Sequence, residues 1–228
     1  MPTAREALLD AGLSALARLP WSAVRMVDVA SAAGLSRQTL YNEFGSKDGL
    51  ARALVRREVD LYLRGVERQL SERKDTVDRL VAVAEWTVAE ARARPLLRAL
   101  LTGCWGQWLP VPAPVRVSAP PSGVPAQRRA DAGPPATGDL VALVRDRSVA
   151  TLERHRMEPG HPDRGRTDHS RTGAGRAELL YRCELALRLA LAHLVAPGGE
   201  SVAPLVRTAV TASLPAPLSA PSPRAGAR

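Results

Sequence analysis

The sequence predicts an all-α protein, and three observations predict it. Apolar residues return every three or four positions over most of the chain, which is the period of a helix face. Ser, Thr and Pro stand where such stretches start, and Gly or Pro where they stop. Aromatic side chains make up 4% of the 228 residues and apolar ones 45%, a composition suited to helices packed through Leu, Ala and Val. This length accommodates a small domain followed by one of ordinary size, each with its own core.

Thr3 and Glu6 form a Thr-x-x-Glu capping box, so a first helix is expected from about Ala4 to Leu19. Pro20 stops it, and Leu8, Leu9, Leu13, Leu16 and Ala17 supply its buried stripe, with Trp21 packing at the turn. Val29, Ala30 and Ala33 share one face of a short second helix. Gly34 follows at the stop, where a positive φ is needed. Leu35 plugs the corner, and Ser36 is placed to cap the next helix by accepting from the N–H of Gln38 or Thr39. Leu40 and Phe44, one turn apart, face inward, which leaves Arg37, Gln38, Thr39, Tyr41 and Asn42 outside. Gly45 ends this helix and Ser46 caps another. Small apolar residues where two helices cross, with hydrogen-bonding groups on the outer N-terminal face of the second, are what a helix-turn-helix requires.

The run Val-Ala-x-x-Ala-Gly-Leu-Ser-x-x-Thr-Leu-Tyr-x-x-Phe-Gly-Ser-Lys, from Val29 to Lys47, resembles the signature of the tetracycline-repressor (TetR) family of bacterial regulators. The resemblance covers about the first fifth of the chain. It implies a homodimeric repressor with an N-terminal three-helix DNA-binding domain and a larger helical domain that dimerises and binds a small effector. By position, Arg37 and Gln38 correspond to base readers. Arginine offers paired donors to guanine, and glutamine suits adenine. Thr39, Tyr41 and Lys47 correspond to phosphate contacts, which set register without reading sequence. Ser36 lies on the same edge, and Asn42 serves either role. The chain departs from the family twice. Arg25 stands where a capping Thr is common and is a candidate phosphate contact, and Glu43 stands where His or Tyr is common. A carboxylate there would repel phosphate, so Glu43 is expected to turn away from DNA.

The net charge of +9 is not concentrated in this head: residues 1–50 hold five basic and five acidic side chains. DNA affinity must therefore come from the placement of a few groups, with global charge adding weak steering. Lys47 and Lys74 are the two lysines among 32 basic residues, a bias that fits genomic base composition better than recognition.

Beyond the head, a long helix is expected from Ser46 to roughly Ser71, with Leu50, Leu54, Val55, Val59, Tyr62, Val66 and Leu70 buried. At 1.5 Å per residue it spans on the order of 40 Å, enough to link the two domains. Residues 76–93 form another helix, and Pro95 suits the first turn of the next. Trp86, Leu101, Cys104, Trp105 and Trp108 are candidates for lining an effector pocket, with core filling as the alternative use. Residues 110–138 and 158–175 read as loops rich in Pro, Ala, Gly or polar groups, with a helix at about 139–157 between them. His161, Asp163, Asp168 and His169 lack metal-ligand spacing, so no metal site is expected.

Residues 176–196 give the most apolar helix and 201–214 a second. Leu180, Cys183, Leu187, Ala190, Leu191, Leu194, Val206 and Val210 are candidates for a four-helix dimer interface, the alternative being a core within one chain. Residues 215–228 are expected to be disordered. The division is therefore 1–48 for the DNA-binding domain, 49–214 for the effector-binding and dimerisation domain, and 215–228 for a tail.

Cys104 and Cys183 form no C-x-x-C pair, so neither zinc nor a disulfide is implied. No leader pattern and no apolar run of about 20 residues is present, which predicts a cytoplasmic protein without a membrane span. No glycine-rich phosphate loop, nucleophile elbow or paired carboxylate points to an enzyme, and no cofactor is expected; Glu85 and Glu90 read as solvated side chains. The sequence thus predicts a dimeric transcriptional regulator that binds double-stranded DNA at a near-palindromic operator, a repressor released by a small apolar or aromatic effector. The alternative is a ligand-independent regulator governed by a protein partner.

Overall fold

In the computed structural model, which describes residues 3–72, 75–111, 136–157 and 169–212, the capping box opens the first helix as expected. The Thr3 N–H donates to the Glu6 carboxylate at 2.8 Å, and the Glu6 N–H donates back to Thr3 Oγ1 at 3.2 Å. Helix α1 runs Ala4–Leu16. It stops short of Leu19 because the N–H groups of Arg18 and Leu19 both turn back to the Ala15 carbonyl, and Ala17 is left exposed rather than on the buried stripe. A single 3-10 turn, Trp21–Ala23, leads into α2, Met26–Ala32, and α3, Arg37–Phe44.

Helix α4, Lys47–Ser71, buries its whole expected stripe, from Leu50 to Leu70. Ser46 caps it, its Oγ accepting the Gly49 N–H at 3.0 Å. Helices α5, Thr76–Ala93, and α6, Pro95–Thr102, follow, with Pro95 in the first turn of α6, where its missing N–H removes no intrahelical bond. Then come α7, Thr137–Met157, α8, His169–Val195, and α9, Val202–Thr211. The parts of the expected loops at 112–135 and 158–168, and the expected tail, lie outside the described residues. Helix α8 begins at His169, seven residues before the expected Arg176. The run from Ser170 to Gly175 has no apolar period to announce a helix, but extending an existing helix needs no new nucleus.

The head is α1, α2 and α3, packed on one another and on the first turns of α4. The larger unit packs α5 against α4, α6, α8 and α9, and α7 against α4 and α8. Helix α4 is therefore shared between the two. This packing gives most of the expected interface residues the alternative use, a core within one chain. Cys183, Leu187, Ala190 and Leu194 of α8 and Val206 and Val210 of α9 are buried within one chain. The two helices are apolar on several sides because α8 is enclosed by α5, α7 and α9 of its own chain. Leu180 and Leu191 are half-buried, while Tyr181, Val195 and Leu205 expose 48%, 65% and 52% of their surface. Among the described residues, no helix is long and apolar enough to cross a membrane.

Candidate nucleic-acid interface

Helix α3 is set by two glycines and a serine. Gly34 has φ +68° and Gly45 φ +70°, so the chain turns sharply on each side of α3 at positions where a side chain would be strained. Ser36 Oγ accepts the Thr39 N–H at 3.0 Å and lies 2.9 Å from Thr39 Oγ1, so both side chains close the first turn of the helix. Leu40 and Phe44 are buried in one cluster with Val29 and Ala30, whose small side chains let α2 approach closely.

The other face of α3 is held in order by its own neighbours. The Arg37 guanidinium lies 5.2 Å from the centroid of the half-buried Tyr41 ring. Gln38 Nε2 donates to Asn42 Oδ1 at 2.9 Å, one turn along. Arg37, Gln38 and Asn42 are exposed and share one edge, which places two amide side chains and a guanidinium side by side, the donor and acceptor set that major-groove base edges match. Arg25 precedes α2 without capping it by a side-chain hydrogen bond; its guanidinium makes two bonds to Asp28, at 2.8 and 3.1 Å. Those bonds raise the already high pKa of Arg25. Lys47 donates to the Ser22 carbonyl at 3.2 Å and sits 5.0 Å over the Trp21 ring, so it pins the turn before α2 to the start of α4.

Glu43 does turn away from the reading edge. Its carboxylate meets Arg5 of α1 at 3.3 Å, and the same guanidinium lies 4.8 Å over the Phe44 ring. This stitch between α1 and α3 joins residues 38 positions apart, and no local pattern announces it. Gly49 carries a second unannounced constraint: a Cβ there would stand 1.8 Å from the Phe44 carbonyl oxygen. The first turn of α4 can press against the end of α3 because position 49 has no side chain.

The five residues expected to line an effector pocket line neither of two surface grooves of the protein. Leu101 is buried in the core, Trp86 is half-buried between α4 and α5, and Cys104 is exposed, as is 59% of Trp108, with Trp105 half-buried. Gly103, with a φ of +72°, ends α6, and the residues after it reach the head. There the Trp21 N–H donates to the Trp108 carbonyl at 2.9 Å. Two surface grooves are lined by other residues. One of about 630 Å³ lies between α1 and α4, beside Arg5, Asp10, Arg57 and Arg64. One of about 360 Å³ lies beside Glu85, Arg92, His193 and Ser201. Glu85 accepts from Ser201 Oγ at 3.1 Å and Glu90 pairs with Arg94 at 3.0 Å, so both carboxylates have structural partners.

Among the described residues no group of three His, Cys, Asp or Glu is placed to hold a metal. His161, Asp163 and Asp168 lie outside the described residues, as does the side chain of His169. No disulfide joins Cys104, which is exposed, to Cys183, which is buried.

Comparison with known proteins agrees with this geometry. The model of the bacterial regulatory proteins of the tetR family matches residues 8–54, which span α1 through the first turns of α4. The HTH-type transcriptional regulator AlkX of Mycobacterium tuberculosis is 40% identical over 100 residues, 43% of this chain and 47% of that protein. A further HTH-type regulator of that species is 30% identical over 99 residues, covering 49% of its length. The chain thus spans about half the length of the curated relatives it matches. The crystal structure of the TetR family repressor AlkX from Dietzia sp. strain DQ12-45-1b, implicated in biodegradation of n-alkanes, has a TM-score of 0.50 at 22% identity over 91% of each chain. A tetR-family regulator from Streptomyces coelicolor also has a TM-score of 0.50, at 20% identity over 92% of this chain and 79% of its own. At those identities the structures attest the fold. The head thus matches the tetR family of bacterial regulatory proteins over residues 8–54, and the helical body shares the fold of tetR-family structures.

Proposed function

We propose that the chain is a dimeric repressor that binds a near-palindromic operator through α3 and leaves it when a small apolar or aromatic effector enters the helical body. The observation that carries this reading is the division of α3: Leu40 and Phe44 are locked inward while Arg37, Gln38 and Asn42 stand exposed on one ordered edge. Tyr41, Thr39, Lys47 and Arg25 are assigned to phosphates in this reading.

The dimer is supported by the outward side of the last two helices. Ala177, Tyr181, Arg188, Ala192 and Val195 recur along one exposed line of α8, and Leu205 of α9 is exposed as well. A line of this kind, apolar but for Arg188, is covered when a second copy meets it across a two-fold axis. This face, rather than the buried residues named from sequence, is the proposed interface. An apolar effector is supported by a body whose interior is Leu, Val and Ala around Tyr62 and Trp86. The n-alkane context of the Dietzia repressor makes alkanes reasonable first trials beside aromatic molecules.

The test is selection of duplexes from a random pool by the purified chain, followed by titration of the complex with apolar molecules. The proposal expects two half-sites whose centres lie one helical turn, ~34 Å, or a multiple of it apart. It also expects a molecule that both raises the protein's melting temperature and releases the duplex. Asymmetric single sites would overturn the dimer. Stabilisation without release would overturn effector control.

A further inference from the structure

Trp86 stands on α5 and reaches across to α4. Its ring lies parallel to that of Tyr62, with centroids 5.5 Å apart and planes 8° apart. The far edge of the indole rests on Gly65, where a Cβ would stand 2.1 Å from Cη2 and 2.2 Å from Cζ2. Any side chain at position 65 would evict the indole from this seat. Below it, Tyr62 and Thr87 are fully buried and their hydroxyls are 3.0 Å apart, so the floor's polar groups satisfy each other. Trp86 itself is half-buried, whereas Tyr62 and Thr87 beneath it are fully buried.

These features describe a slot filled by a removable side chain. The floor is a glycine backbone and an aromatic face, both flat. The filling is attached through two rotatable bonds, and rotation about them is the way it would leave. A flat aromatic molecule entering in its place would regain the offset stacking on Tyr62. The vacated space would be apolar, and apolar cavities of about 150 Å³ stay dry and accept molecules the size of benzene. We infer that the Trp86 seat between Gly65 and Tyr62 is a binding slot for flat aromatic molecules, held shut in the empty protein by its own indole. Its regulatory meaning rests on the effector reading proposed above, because the slot's floor is α4, the helix shared with the DNA-binding head.

A self-filled slot has a thermodynamic signature. Affinity is reduced by the fraction of time the slot stands open. A minor state populated at about 0.1–10% implies that removing the plug tightens binding by roughly ten- to a thousandfold. The experiment is titration of the full chain with indole, followed by calorimetry, on the natural sequence, on Trp86→Ala and on Trp86→Ala combined with Gly65→Val. Melting curves establish that each is folded. Trp86→Phe, which keeps a smaller ring on Tyr62, serves as a further variant and is expected to show an intermediate gain.

The slot predicts tight binding to Trp86→Ala, weak binding to the natural chain and loss of the gain when Gly65→Val refills the floor. Equal affinity for natural and Trp86→Ala proteins, or an undiminished gain in the double variant, would overturn it. Saturation of Trp86→Ala by n-decane but not by indole would overturn the aromatic class. If indole binds as expected but leaves the DNA complex intact, the slot stands and effector control fails. If another molecule releases DNA equally well from natural and Trp86→Ala proteins, and indole binding does not differ between them, effector control stands and the slot fails.

Discussion

The guanidinium of Arg37 lies 5.2 Å over the ring of Tyr41, so the residue assigned to base reading is braced by the one assigned to phosphate. An exposed cation–π contact of this kind is worth about 0.5–1 kcal/mol, enough to bias one orientation of a long side chain. Arg37→Ala is expected to relax discrimination at one base pair by about 1–3 kcal/mol. Tyr41→Phe keeps the brace and loses a hydroxyl, so it should weaken all duplexes alike. Tyr41→Ala should do both. Competition gel shifts with single-base variants of a selected duplex separate these outcomes, and identical profiles for Phe and Ala at 41 would contradict the brace.

Gly49 is the tightest point of the head. Its missing Cβ would lie 1.8 Å from the Phe44 carbonyl, so Gly49→Ala must push α3 and α4 apart. Overpacking of this sort costs about 1–3 kcal/mol. For a chain of this size each kcal/mol lowers the melting temperature by roughly 2–4 °C. Gly106→Ala is the control, since a Cβ there meets nothing within 4 Å. Thermal melts of the two variants should differ, with Gly106→Ala matching the natural chain.

Glu58 is 3% exposed, and its Oε2 bonds Arg94 at 2.9 Å while its Oε1 has no hydrogen-bond partner among the described residues. Burial pushes its pKa above the ordinary 4.5, with Arg94 opposing the shift. The native state therefore takes up a proton before the unfolded chain does. The penalty of the buried charge is present above the folded pKa and is relieved as the pH falls toward 4.5. Measured by urea unfolding, the natural chain should gain stability relative to Glu58→Gln on acidification from about pH 7. Arg94→Ala, which strips the partner from a buried carboxylate, should cost about 3–5 kcal/mol near neutral pH. A constant difference between the natural chain and the Glu58→Gln variant across that range would contradict the shift.

The outward line of α8 and α9 distinguishes assembly from folding. Leu205→Glu is expected to favour monomers in sedimentation velocity with little change in helix content, because Leu205 is 52% exposed. Val206→Asp, at a position wholly buried in the same helix, should unfold the chain locally by burying an unpaired charge. If Leu205→Glu leaves a dimer intact, the interface lies elsewhere.

The helices were legible wherever one face was apolar and a cap marked the start. The expected start at Ser46 and end near Ser71 coincide with α4, and the stripe from Leu50 to Leu70 is buried throughout. What the sequence concealed depends on contacts between distant residues. Arg5 finds Glu43 38 positions away, and Gly49 matters because of the Phe44 carbonyl. Apolar faces on α8 and α9 show that something covers them but not which chain does; Cys183, Leu187 and Val206 pack the core of their own chain. Nor does any local pattern announce that the Trp108 carbonyl accepts from the Trp21 N–H of the head.

The central claim is that the exposed edge of α3 reads bases. The most direct measurement is selection from a random duplex pool by three proteins in parallel: the natural chain, Gln38→Ala and Lys47→Ala. The claim predicts that Lys47→Ala recovers the natural consensus with weaker overall affinity, whereas Gln38→Ala loses preference at one position in each half-site. Identical consensus sequences for the natural and Gln38→Ala proteins, together with unchanged discrimination by Arg37→Ala, would contradict it.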